Sequence, residues 1–115
     1  MKPYYKIGQL IHHKLFDYRG VILKVDDCFK LTENWYDNVA KSKPPKDKPW
    51  YSVLVHNQIH TTYVAERHLS SDDSDREIMN PMVPIYFTTL NNGIYSKTSN
   101  WVNGEPSLFP EIGFT

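Results

Sequence analysis

A single cysteine, Cys28, rules out any disulfide within the chain. No run approaches the roughly 18 consecutive apolar residues that a membrane-crossing helix needs. The start, MKPYYKIGQ, is polar and aromatic rather than apolar, so no secretory leader is expected. There is no Asn-x-Ser/Thr sequon either. Together these absences lead to an expectation of a reducing, cytoplasmic setting without membrane contact. Long Leu/Ala-rich helical stretches are also missing. The net charge is zero, so the chain as a whole exerts no pull on polyphosphates.

Signatures of catalysis are equally scarce. No serine lies in GxSxG, and no P-loop, GxGxxG or HExxH occurs. Acids beside Cys28 would raise its thiol pKa rather than activate it. The adjacent carboxylates sit at Asp26-Asp27 or within the wet stretch SSDDSDRE, where they make poor general acids. The same stretch lacks the central glycine and terminal glutamate of a calcium loop and reads as a solvated acidic segment. Five histidines are present, but one cysteine and no CxxC argue against a zinc site. His12 and His13 point to opposite faces of a strand, and His56 and His60 merely flank a turn. No enzyme, no cofactor and no metal are expected.

What the chain does have is enough apolar matter for a core. Of its 115 residues, 40% are hydrophobic and 14% aromatic, which suits one packed domain over 1–115. Eight prolines and eight tyrosines favour a small β-rich fold. Residues 7–26, IGQLIHHKLFDYRGVILKVD, read as two strands. Ile7, Leu10, Ile11 and Leu15 belong to the first and residues 21–25 to the second. Phe16 to Gly20 forms the corner, where Gly20 offers backbone freedom. Tyr4 and Tyr5 precede the pair and are available to cover an edge of the core.

In CFKLTENWYDNVA, Thr32 caps a short helix and Glu33 favours its first turn, gathering Phe29, Trp35, Tyr36 and Val39 on one side. Three prolines and four lysines make 41–49, KSKPPKDKP, an extended surface loop. A second hairpin follows from WYSVLVH and IHTTYVAE about a turn at Asn57-Gln58, with Leu69 turning back into the core. Asn80-Pro81 opens a helix whose stripe is Met82, Val83, Tyr86, Phe87 and Leu90, and Asn92-Gly93 ends it. The tail from Ile94 packs down through Tyr95, Trp101, Leu108 and Phe109. These elements suggest a mainly β fold: a small, partly closed barrel core over about 5–70, with one or two short helices and a helix and packed tail over about 80–115.

The charges are unevenly placed. Residues 1–48 hold ten Lys/Arg and six Asp/Glu, and residues 49–115 hold three and seven. The candidate contact face comprises His13, Lys14, Phe16, Tyr18 and Arg19 on the first hairpin, with Lys46 and Lys48 from the lysine-proline loop. Cations interleaved with aromatics can hold phosphates and stack bases. The competing reading makes Phe16 and Tyr18 core or corner residues, Lys14 and Arg19 solvated charges, and the loop a plain connector.

IGQLIHHKLFDYRGVILKVD, Trp35-Tyr36, KDKPWYSVLV and TTYVAERHLSSDDS, in register from about Tyr5 to Ser74, resemble the HspQ/YccV-like family. This is also called the hemimethylated-DNA-binding domain, and NPMVPIYF continues in the style of its longer members. The resemblance implies a small SH3-like β-barrel without catalytic residues. It also implies two functional traditions. The first, expected here ahead of the other, is a heat-shock-type regulator or adaptor of an ATP-dependent protease of the Lon or Clp type, acting through contacts with the protease or its substrates. The second is a module that binds hemimethylated DNA and affects replication-initiator expression. A homo-oligomer is compatible with either. Residues 91–115 depart from the short members, so the degradation signal at their C-terminus does not carry over.

Overall fold

The computed structural model describes residues 2–106 and 112–114. The fold is mainly β. In chain order it contains β1 (Leu10–His13), β2 (Tyr18–Asp26), α1 (Glu33–Val39), β3 (Trp50–Val55) and β4 (Thr61–Ala65). A 3₁₀ turn (Glu66–His68), β5 (Leu69–Ser71), α2 (Val83–Tyr86), β6 (Phe87–Asn91) and β7 (Ile94–Lys97) follow, then β8 (Trp101–Val102), β9 (Glu105–Pro106) and β10 (Ile112–Phe114). Six strands form one sheet in the order β10-β4-β3-β2-β1-β5, while β6-β7 and β8-β9 are separate ribbons. The neighbours are antiparallel except β10 on β4, which is parallel. The sheet is open: β5 and β10 are its edges, so the expected partial closure into a barrel is not made by strand pairing.

Every residue of β3 and of β4 is buried. Both faces of these strands are therefore covered, including at the polar Ser52, Thr61 and Thr62. On one face Ile11, Ile22, Tyr51, Val53, Val64 and Leu69 pack together under Tyr5. Tyr5 is fastened there by its hydroxyl, which donates to the Leu69 carbonyl at 3.0 Å. On the opposite face, Leu10, Val21, Leu23 and Leu54 meet Ile78, Tyr86, Phe87 and Tyr95. Beside them, Trp50, Tyr63 and Ala65 meet the aromatic side of the α1 insertion.

That insertion forms as its sequence indicates. Thr32 Oγ1 accepts the Trp35 N–H at 3.1 Å, and Glu33 occupies the first turn. Phe29, Trp35 and Tyr36 reach the Trp50 and Tyr63 rings at centroid distances of 5.0–6.4 Å. The following lysine-proline loop contains no helix or strand. It is nevertheless more than a connector, because the Pro44 and Pro45 carbonyls accept from Tyr36 Oη (2.6 Å) and Trp50 Nε1 (3.0 Å).

Three expectations need correction. Gly20 is not a corner residue; it lies inside β2, opposite Ile11 and Val55. Its value is smallness: a Cβ there would lie 2.7 Å from the Leu54 carbonyl oxygen and against the Val53 side chain. The corner is instead 14–17, with Asp17 in the left-handed region at φ 55°. Leu15 is therefore an exposed turn residue and not part of a strand.

The expected helix over 80–91 is a single turn, α2, after which the chain becomes β6 and turns back into β7. The N-cap of α2 is Met82 rather than the expected Asn80, whose Oδ1 accepts the Met82 N–H at 3.0 Å just ahead of the turn. The Asn80 Nδ2 also ties this segment to the Val55 and His60 carbonyls. Phe87-Thr88-Thr89 then favours strand, and Asn92-Gly93, with φ 54° and 77°, makes a two-residue hairpin turn rather than a helix stop.

Finally, the acidic stretch is not simply solvated. Asp72 binds Arg19 and Ser74, and Asp75 Oδ1 accepts the Gly93 N–H at 2.8 Å. In the tail, Tyr95 is buried and Trp101 half-buried, while Leu108 and Phe109 lie outside the described residues. The β6-β7 ribbon docks through Gly8, whose carbonyl accepts the Tyr95 N–H at 2.7 Å.

Gly20→Ala forces β2 and β3 apart and should destabilise the fold by about 2 kcal/mol. A lower midpoint of urea unfolding checks this, and an unchanged midpoint would show that the strands separate at no cost.

Candidate functional site

The β1-β2 corner is organised by one histidine. His13 ends β1 opposite Tyr18 and is almost wholly buried. Its Nδ1 accepts two backbone N–H groups, from Leu15 at 3.2 Å and from Phe16 at 3.0 Å. A ring nitrogen that accepts both carries no proton, so the neutral ring has its hydrogen on Nε2. Burial, followed by the neighbouring His68 and His12, lowers the His13 pKa to about 4. Asp17 closes the turn by donating its N–H to the His13 carbonyl at 2.9 Å, and its carboxylate meets His12 Nε2 at 2.6 Å.

With its backbone held this way, the turn directs two large apolar side chains outward: Leu15 is 58% exposed and Phe16 55%. The Phe16 ring stacks on His13 at 4.7 Å and 19°, and His13 stacks on His68 at 5.6 Å and 11°. His68 arrives because β1 pairs with β5, which sets His13 opposite Leu69. Its Nε2 meets Ser42 Oγ at 2.9 Å. The result is a groove of about 390 Å³, with Leu15, Phe16 and His13 on one side and Ala40, Lys41, Ser42 and His68 on the other. Lys14 and Arg67 lie beside it, close enough for their charges to act on His68. The Lys14 N–H donates to the His68 carbonyl, and an Arg67 guanidinium nitrogen donates to the Ser42 carbonyl at 3.0 Å. Burial first, then the Arg67 and Lys14 charges, depress the His68 pKa. Among the described residues, no carboxylate lines the groove.

The structure therefore brings His13, Lys14 and Phe16 together and assigns the other expected residues elsewhere. Tyr18 touches His13, but it packs against the core and its hydroxyl is 2.7 Å from Thr62 Oγ1; burial pushes its pKa up to about 12. Arg19 is not a solvated charge. Its Nε donates to Asp72 at 2.6 Å between largely covered side chains, and its Nη2 reaches the Arg76 carbonyl. Burial works against Asp72 ionisation, and the Arg19 and Ser74 donors outweigh it, holding the carboxyl below its ordinary value. Lys46 pairs with Glu33 and lies 4.3 Å over the Tyr36 ring, clamping the insertion. Lys48 is half-buried in the loop and does not line the groove.

Sequence reasoning missed Leu15, Lys41, Ser42, Arg67 and His68 as partners in this site. Lys41 was visible only as one of several loop lysines. The others had no local signal, since the β1-β5 register is what gathers them. Among the described residues, no group of three or more His, Cys, Asp or Glu side chains is placed to hold a metal ion, and no helix is long and apolar enough to cross a membrane.

These features define a mainly β protein with a cation-flanked aromatic groove at a strand corner. A family model described as hemimethylated DNA-binding protein YccV like matches residues 3–93. The chain belongs to that YccV-like family.

The pH dependence of stability follows from His13. Its folded pKa lies below the ordinary 6.5, so the unfolded chain binds the proton more readily between pH 6.5 and 4. Its contribution is fully present above pH 6.5 and declines as pH falls to about 4, by roughly 3 kcal/mol in total. His13→Gln should be less stable at pH 7 and lose less on acidification; equal slopes of unfolding free energy against pH would count against the assignment. Arg19→Glu should cost about 3 kcal/mol by leaving Asp72 unpaired, whereas Lys14→Glu should leave the melting temperature nearly unchanged. Comparable losses in calorimetry would overturn that contrast.

Proposed function

We propose that the chain is a non-catalytic DNA-binding module that contacts hemimethylated duplexes through the His13–Phe16 corner. The supporting observation is the meeting of an exposed, stacked aromatic with three cations, Lys41 in the groove lining and Lys14 and Arg67 acting on His68, at a groove that no carboxylate lines among the described residues. Phosphates need such local cations when the whole molecule is neutral, and aromatic faces add sequence-tolerant stacking. The family description favours this reading over the proteolysis role that the sequence resemblance placed first. An SH3-like arrangement of β1 to β5, also implied by the resemblance, is retained as part of the proposal.

Regulation of an ATP-dependent protease is the second reading. It draws on a groove of about 480 Å³ in which Ile78, Pro81, Val83, Pro84, Phe87 and Tyr95 contribute apolar walls suited to protein contact. A pull-down after heat stress, scored for protease subunits against DNA, separates the two.

Fluorescence anisotropy with hemimethylated, fully methylated and unmethylated duplexes tests the first. The hemimethylated duplex should bind best. With three phosphate contacts, its affinity should fall roughly 40-fold between 50 and 200 mM salt. Lys14→Glu should lower the log–log salt slope by about 1. No binding at low salt, or equal binding of the three duplexes, rejects the proposal.

A further inference from the structure

A protein can read the bases of a duplex by placing an element in a groove or by drawing a base out of the stack. Among the described residues, neither helix suits the first route. α1 has seven residues and turns Trp35 and Tyr36 onto the sheet, and α2 is a single turn. The β6-β7 ribbon carries one cation, Lys97, whose ammonium lies 4.6 Å over the Trp101 ring. The exposed recognition chemistry is therefore concentrated at the corner.

There the groove has the features an unstacked base requires. The rings of Phe16, His13 and His68 lie nearly parallel, at 19° and 11°, and Phe16 remains more than half exposed. The platform is rigid before any ligand arrives, because two backbone N–H groups fix His13 and Ser42 engages His68. A volume of about 390 Å³ falls within the range of small-molecule pockets, about 300–1,000 Å³. His13 is 1% exposed and lines the groove through its stack with Phe16 and His68.

We infer that this groove receives one unstacked nucleobase of a bound duplex, stacked on the Phe16-His13-His68 platform, while Lys14, Lys41 and Arg67 hold the flanking phosphates. The inference rests on the DNA-binding reading above and adds a distinct requirement. Taking a base from an intact stack opposes binding, and a mismatch or an extrahelical base removes most of that opposition.

The test compares a perfect duplex, a duplex with one central mismatch and a duplex with one bulged base, by anisotropy at 50 mM salt. The bulged and mismatched duplexes should bind at least about tenfold tighter than the perfect one. Phe16→Ala should bring the three affinities to near parity, and so should Phe16→Leu, which keeps apolar bulk while deleting the ring face. Lys14→Glu should weaken all three by a common factor and keep their ratio. Circular dichroism verifies that each variant is folded, as the exposure of both side chains implies. Equal affinities in the unmodified protein, or a preference that survives both Phe16 changes, overturn the base pocket and leave DNA binding standing. Failure of every duplex to bind overturns both.

Discussion

A strand with no exposed side must be covered twice, and β3 imposes that requirement on the whole molecule. Every residue from Trp50 to Val55 is buried, so its two faces need separate partners. Tyr51 and Val53 are met by β1, β2, β4 and β5 residues under Tyr5. Leu54 is met by α2 and the β6-β7 ribbon, and Trp50 by the α1 insertion. Both coverings bring polar atoms with them, and the fold supplies acceptors for several of these. The carbonyls of Pro44 and Pro45 receive the Tyr36 hydroxyl and the Trp50 indole, and Asn80 fastens the second covering to the β3-β4 turn. Buried donors without such partners would weaken the core.

The strand pairs β1-β2 and β3-β4 and the Thr32 cap were legible because each is encoded locally, by apolar runs and by a short polar residue ahead of an acid. The stretch from Met82 to Leu90 was not, because its apolar spacing fits a helix while the burial of Phe87 and Tyr95 is satisfied by a ribbon. Asn92-Gly93 decides the matter: both residues adopt positive φ, the geometry of a two-residue hairpin. Gly20 misled for a related reason. Glycine marks either backbone freedom or close approach, and only the facing strand, with Val53 and Leu54, shows which.

Of the expected site residues, His13, Lys14 and Phe16 share the corner, whereas Arg19 and Lys46 are taken up by internal contacts. Those two cations look alike in sequence and differ in what faces them: Asp72 arrives from 53 residues away, and Glu33 and Tyr36 from the neighbouring insertion. The neutral composition hid the asymmetry that matters. Many charges are consumed in holding segments together, and the corner keeps Lys14, Lys41 and Arg67 beside one groove.

Gly8 carries a consequence for how the chain becomes this structure. Its carbonyl takes the Tyr95 N–H, and the Gly93 carbonyl takes the N–H of Leu10, so β1 is fixed by residues more than eighty positions away. Closing so large a loop is entropically costly, and folds dominated by distant pairings form slowly. During synthesis, β1 to β5 emerge first, with Leu10, Val21, Leu23 and Leu54 lacking their α2 and β6-β7 cover. The nascent sheet thus presents an apolar face until Tyr95 clears the ribosome, and the last strand of the ribbon acts as the latch on a vectorial folding process.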